Sequence, residues 1–260
     1  MIDVLRYLVR AVRNPAAPLK TVPLLRRLLL LPVLYDVSST VMQLHSRRHL
    51  ESTSKTAIDD DSYYQRVQTY NASVTSARTV MTSRRAEELF AALCVPPRDL
   101  TKERLLLIGP RTVQELYLAW LYGFSWDGIE GIDLYQTHPK IHVMNMEEMT
   151  FPDASFDSIL MSATLAYAKN VGSCLAECAR VLRPGGHLVF GQTFCPGSEF
   201  MGNQTTGDET RRILLRLNLE PFYYRQAEKV NRLGLPQTYH LFGVRKPDGN
   251  PIFDPVRWGS

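Results

Sequence analysis

The stretch RLLLIGPRTVQELYLAWLYGF, Arg104 to Phe124, decides the fold class. Its aliphatic run 105–108 has no polar alternation, as expected of a strand buried on both faces of a parallel sheet. Gly109 and Pro110 make a turn, and the residues from Val113 onward read as a helix. The same order recurs downstream. IEGIDL (129–134), IHVMNM (141–146) and FDSILMSA (156–163) read as strands. VGSCLAECARVL (171–182) is a helix, RPGG a turn and HLVFGQ (187–192) a strand. PFYYRQ (221–226) and TYHLFGVRK (238–246) alternate like an antiparallel pair closing one edge. Upstream, SRRAEELFAALCV carries a helical stripe (Ala86, Leu89, Phe90, Leu93) that Pro96-Pro97 closes. Strands and helices alternate at βαβ spacing, so the expected fold is α/β: a doubly wound, seven-stranded sheet with helices on both faces.

The chain has 260 residues, enough for one large domain with an appendage. A helical extension or cap over 1–82, followed by the main domain over 83–260, fits the change of pattern near Ser83. Cys94, Cys174, Cys178 and Cys195 are too scattered for a disulfide framework, so a reducing, cytoplasmic setting is expected. Cys174 and Cys178 share the apolar stripe of one helix and read as core, and no metal site is expected. NAS at Asn71 and NQT at Asn203 match glycosylation acceptors but lack a secretory signal.

Charge is uneven. Residues 1–50 hold eight Lys/Arg against two Asp/Glu, whereas the remaining 210 hold 22 against 24. The main domain is therefore no basic nucleic-acid reader. MIDVLRYLVRAVRN is an amphipathic helix stopped by Asn14-Pro15. VPLLRRLLLLPVLYDV is apolar from Leu28 to Tyr35, is broken by Pro32 and is too short to span a bilayer, which takes ~20 apolar residues. Residues 1–35 thus read as a helix packed on its own domain or on a second copy, giving a homodimer, or as a peripheral membrane anchor; a transit peptide fits less well. Residues 36–80 are polar and mixed, and such a stretch often lies over a core as a cap, with Tyr63 and Tyr64 lining a lid.

In an open α/β sheet, ligands bind beyond the carboxyl ends of the strands. The first strand ends at Gly109. The second ends at Asp133-Leu134, where a carboxylate can accept hydrogen bonds from two ribose hydroxyls. The third ends at Asn145-Met146, an amide beside an apolar surface that suits adenine, and the fourth near Ser162.

FPDASFDSIL followed by RVLRPGGHLVF resembles the class I S-adenosylmethionine-dependent methyltransferases, in particular the small-molecule branch with its PFPDxSFDxV … VLKPGG pattern. The resemblance covers roughly Ser83 to Lys246, and IEGIDL matches the acidic end of the second strand. It implies S-adenosylmethionine as cofactor, with Gly109 at its methionine part, Asp133 at the ribose, Asn145 and Met146 at the adenine and Ser162 near the sulfonium. It also implies a small-molecule, sugar or lipid-linked acceptor, with Tyr167 at the position that often faces it.

The departures lie in the first loop. Where the family has an acidic residue and G-x-G-x-G, this chain has Leu107, Gly109, Arg111 and Val113. Pro110 stiffens the turn in place of the missing glycines. Arg111 can offer a guanidinium to the cofactor carboxylate, helped by the N–H groups of the following helix. Glu115 can recover the lost contact to the ammonium. Alternatively the loop is a remnant, Arg111 is solvated, and the chain is a catalytically silent binding or assembly protein. A third possibility is a non-methylating enzyme that uses the cofactor only to shape its site.

Overall fold

The computed structural model describes residues 26, 28–53, 62–77, 84–194, 203–230, 234 and 236–249. Its helices are α1 (Pro32–Thr53), α2 (Ser62–Ala77), α3 (Arg84–Leu93), α4 (Val113–Leu121), α5 (Val171–Val181) and α6 (Gly207–Arg216). Its strands are β1 (Leu105–Ile108), β2 (Ile129–Asp133), β3 (Ile141–Val143), β4 (Phe156–Met161), β5 (Leu182–Phe194), β6 (Glu220–Val230) and β7 (Pro236–Arg245). They form one seven-stranded sheet in the order β3-β2-β1-β4-β5-β7-β6. β1 to β5 are parallel, and β7 runs antiparallel between β5 and β6. The order grows outward in opposite directions from β1 and β4, which opens a crevice above their carboxyl ends.

Each face of the sheet is covered, as the unbroken apolar strands require. On one face α3 and α4 bury Leu89, Phe90, Leu116 and Trp120 against Leu105, Leu107 and Ile129. On the other, Cys174, Leu175 and Cys178 of α5 and Leu214 of α6 pack with Phe190 and Phe242. Both α5 cysteines are fully buried, and no group able to hold a metal ion occurs among the described residues.

The break expected at Pro32 is present: residues 28–29 are helical, Leu30 and Leu31 turn the chain, and Pro32 is the first residue of a new 22-residue helix. A proline at that position costs nothing, because the N–H it lacks would have no helical partner. The helix then runs on through the polar stretch to Thr53. Tyr35 stacks on Tyr117, and Tyr117 on Trp120, with ring centroids 6.3 and 5.7 Å apart. Gln114 donates to the Ser39 carbonyl at 3.3 Å. The amphipathic segment at residues 2–13 lies outside the described residues.

One reading needs correction, that of RPGG. These residues lie within β5 rather than in a turn before it, since Phe156 pairs with Leu182 but Ser158 pairs with His187. The extra length bulges out, and Gly185 takes a φ of 81° there. Below the bulge, at the amino end of the sheet, His187 meets Arg98, whose guanidinium also pairs with Glu103 at 3.3 Å. Burial first, then Arg98 and Arg245, push the imidazole down to about 3, so it is a neutral structural group.

The loop FPDASFD is held by two arginines: Arg183 donates to the Ala154 carbonyl at 3.1 Å and pairs with Asp157 at 2.9 Å, and Arg180 makes the larger set of contacts. Arg180, at the end of α5, donates to the carbonyls of Phe151 and Met149 at 2.8 and 2.7 Å and pairs with Asp153 at 2.7 Å and Glu177 at 2.8 Å. Glu177 in turn accepts from the Met149 N–H at 2.7 Å. Removing the guanidinium strands two buried carbonyls. Arg180→Ala is therefore expected to lower unfolding free energy by ~1–3 kcal/mol, measured by urea titration. An unchanged midpoint would mean that water replaces all four contacts.

Candidate functional site

The loop after β1 is built around a left-handed turn. Gly109 has a φ of 68°, and a Cβ added to it would lie 2.2 Å from the Thr164 hydroxyl. Glycine is therefore demanded by the close approach of the β4 loop, whatever binds there. Thr164 is locked in place by donating to the carbonyls of Ile108 and Ser162, each at 3.1 Å. Gly131 of β2 makes similar room for Pro110, since a Cβ there would sit 2.9 Å from the proline ring. Leu107, at the family's acidic position, is 1% exposed in the core, and so is Val113 at the third glycine.

Arg111 takes the left-handed conformation at φ 48°, where the family places its second glycine. That costs a non-glycine residue ~1 kcal/mol, and the loop balances it with contacts. The Arg111 N–H donates to Asp133 at 3.1 Å, and its carbonyl accepts from Thr137 at 3.0 Å. Its guanidinium donates to the Asn71 side chain at 2.7 Å. Arg111 is half-buried and bonded rather than solvated. Thr112 caps α4 by accepting from the Gln114 N–H.

Two carboxyls share this pocket. Asp133 accepts from the Leu134 N–H at 2.7 Å as well as from Arg111. Burial pushes it up to about 6, against the pull of those two N–H groups and of Arg111. Glu115, in the first turn of α4, is pushed up to about 8 by burial; Arg111 opposes the shift and Asp133 adds to it. With one guanidinium and two carboxyls, the fully ionised pocket carries one net negative charge.

α2 lies across the same strand ends. Tyr64, Gln68 and Asn71 form one face of it and reach three different loops. The Tyr64 hydroxyl donates to Glu147 at 2.5 Å, Gln68 to the Leu134 carbonyl at 3.0 Å, and Asn71 accepts from Arg111. The Tyr63 hydroxyl donates to the Tyr167 carbonyl at 3.2 Å, and the Lys169 ammonium sits over both tyrosine rings. Glu147 also accepts from the backbone N–H of Lys169 at 2.6 Å and of Asn170 at 3.3 Å.

β3 is shorter than the run IHVMNM, ending at Val143. The Met144 N–H donates to the Asp133 carbonyl at 2.9 Å, and the Asn145 side chain accepts from the Glu147 N–H at 3.0 Å, which turns the chain. Met146 is buried beside them. Ser162 follows β4, and Tyr167 lies in the short turn Leu165–Tyr167 just beyond.

Gly109, Pro110, Arg111, Glu115, Asp133 and Leu134 are thus gathered in and around one loop. Asn145 and Met146 adjoin that loop through the Met144–Asp133 bond, and Thr164 ties Ser162 to β1. Tyr167 is joined to this group through α2. The strand ends did not reveal Asn71, Gln68, Tyr64 and Glu147. The signal for the first three was the i, i+4, i+7 spacing in SYYQRVQTYNAS. Asn71 and Asn203, the two glycosylation-like positions, are committed inside, Asn203 donating to the carbonyls of Leu165 and Ala168 at 2.9 Å each.

Comparison with known proteins agrees with the strand order. Residues 130–190 match the family described as "Methyltransferase domain". Over 42 residues the chain is 50% identical to the demethylmenaquinone methyltransferase of Tropheryma whipplei, in both strain Twist and strain TW08/27. That match spans 16% of this chain and 18% of the relative's length. Among solved structures, a putative sarcosine dimethylglycine methyltransferase from Galdieria sulphuraria superposes with TM-score 0.51 at 14% identity, covering 68% of this chain and 88% of that one. A geranyl diphosphate methyltransferase in complex with S-adenosylmethionine superposes with TM-score 0.50 at 17% identity, covering 73% and 92%. In its sheet order the chain has the fold of the S-adenosylmethionine-dependent methyltransferases, and its central segment is similar in sequence to their methyltransferase domain.

Proposed function

We propose that the protein binds S-adenosylmethionine in the crevice between the β1 loop and α2 and transfers its methyl group to a small-molecule or lipid-linked acceptor. The observation that carries this reading is the pocket's charge. S-adenosylmethionine is a net monocation, made of a sulfonium, an ammonium and a carboxylate. The pocket offers a guanidinium and two carboxyls, both held above their ordinary range by burial even though Arg111 lies beside them. A bound cation relieves both.

In this reading Asp133 accepts from the ribose hydroxyls with the lone pairs left by its two backbone donors. Arg111 receives the carboxylate and Glu115 the ammonium. Asn145 and Met146 line the adenine, and Ser162 lies toward the sulfonium. The cofactor supplies an already activated methyl group, so the chain's task is alignment and exclusion of water. α2 covers the crevice through Tyr64, Gln68 and Asn71, and Tyr167 faces the acceptor from the β4 loop. The demethylmenaquinone and geranyl diphosphate methyltransferases named above are the precedent for a prenylated acceptor.

Isothermal titration with S-adenosylmethionine and S-adenosylhomocysteine tests the reading. Micromolar binding of both is expected, and turnover to S-adenosylhomocysteine once an acceptor is supplied. A folded protein that binds neither would return the loop to the status of a remnant and leave a silent, partner-binding protein.

A further inference from the structure

The outward face of α1 is apolar. Val33, Leu34, Val37, Val41 and Leu44 are 74%, 44%, 59%, 39% and 50% exposed, and Leu28, Leu30 and Leu31 just before the helix are open as well. The opposite face, with Tyr35, Ser39 and Gln43, is buried. Between Leu28 and Leu44 the chain has a single charged residue, Asp36. A helix packed on its own domain carries charges on its solvent side, and a continuous apolar surface there marks a contact still to be made.

Charge identifies the occupant. The first 50 residues hold eight Lys/Arg against two Asp/Glu, and the sequence sets Arg26-Arg27 before the apolar stripe and Arg47-Arg48 after it. Arg26 is engaged over the Trp120 ring at 4.4 Å, which leaves the other basic residues to set the field. A second copy carries the same positive surplus in its sequence, so pairing two copies adds like charge to like. Anionic headgroups neutralise that surplus. No helix among the described residues is long and apolar enough to cross a membrane. The helical part of the stripe, Val33 to Leu44, is about 18 Å long at 1.5 Å per residue, which suits a helix lying in the interface.

We infer that α1 docks in the plane of an anionic membrane, with Val33, Leu34, Val37, Val41 and Leu44 among the acyl chains. This places the contact on the outer face of α1 rather than on residues 1–35 as a whole. It does not rest on methyl transfer, so either reading can fail alone.

The test is co-sedimentation of the full chain with phosphatidylcholine vesicles, with and without phosphatidylglycerol, beside light scattering of the lipid-free protein. Binding is expected only to the anionic vesicles. The double substitution V33D/V37D is expected to lower the partition coefficient about tenfold or more at unchanged unfolding temperature. V33S/V37S is the milder pair should the first not fold. Anionic binding untouched by either pair would assign the contact to the basic residues and overturn the docking face. No vesicle binding, with a dimer that V33D/V37D dissociates, would give the face to a second copy. No vesicle binding by a monomer would mean that the chain covers the face itself.

Discussion

Asp133→Ala is expected to weaken S-adenosylmethionine binding by ~3 kcal/mol, about a hundredfold in Kd. The substitution removes the proposed acceptor of the ribose hydroxyls and frees the N–H groups of Arg111 and Leu134 that shape the loop. Asp133→Asn, which keeps one carbonyl oxygen, is expected to fall between wild type and alanine. A pH series separates charge from shape. Burial holds Asp133 at about 6, so the ionised acceptor is lost as pH falls through that value. Wild-type affinity should therefore drop between about pH 7 and 5, and the asparagine variant should lack this component. Titration calorimetry of the three proteins reads all of this. Equal affinities would mean that the ribose does not sit at β2.

Glu115→Gln is expected to act in two opposite directions. Its carboxyl is held at about 8, well above the ordinary carboxylate range. Between these values the folded state binds more protons than the unfolded chain, so ionised Glu115 costs stability, and the cost grows as pH rises through that window. The full shift overstates the cost, because the side chain keeps some contact with water. Glutamine should stabilise the ligand-free protein at pH 8 by ~1–3 kcal/mol, several degrees in Tm, with little effect at pH 4. The same change should weaken S-adenosylmethionine binding about tenfold or more, through loss of a charge-assisted contact to the ammonium. Scanning calorimetry at the two pH values and one titration check both parts. A less stable variant at pH 8 would make Glu115 a structural partner of Arg111 instead of a cofactor ligand.

Most of the sheet was legible in the sequence because its strands are buried on both faces, and burial leaves the strongest compositional mark. Leu105–Ile108 and Ile159–Met161 could hardly be anything else. What escaped was set by context. RPGG reads as a turn unless the neighbouring strand is long enough to absorb it as a bulge. The site was half legible: Gly109, Asp133 and Asn145 stand at strand ends, where spacing locates them. Asn71 lies 40 residues before the arginine that it holds. Only the packing of α2 over the crevice shows what Asn71 meets. The first loop looked damaged because its glycines are missing. Arg111 holds the left-handed turn without one, since Asp133, Thr137 and Asn71 tie it down on three sides.

The Arg180 clasp bears on how kinship with this family should be weighed. The phrase on which the resemblance rests, FPDASFD with RVLRPGG, is kept in shape by guanidinium groups that contact none of the proposed ligand residues. Its persistence answers to the need for a loop that closes correctly after synthesis. A descendant that had lost all chemistry would retain it, and would still be recognised. In the proposed reading activity leaves its imprint elsewhere, in the ionisable groups around Asp133, whose burial is costly to folding.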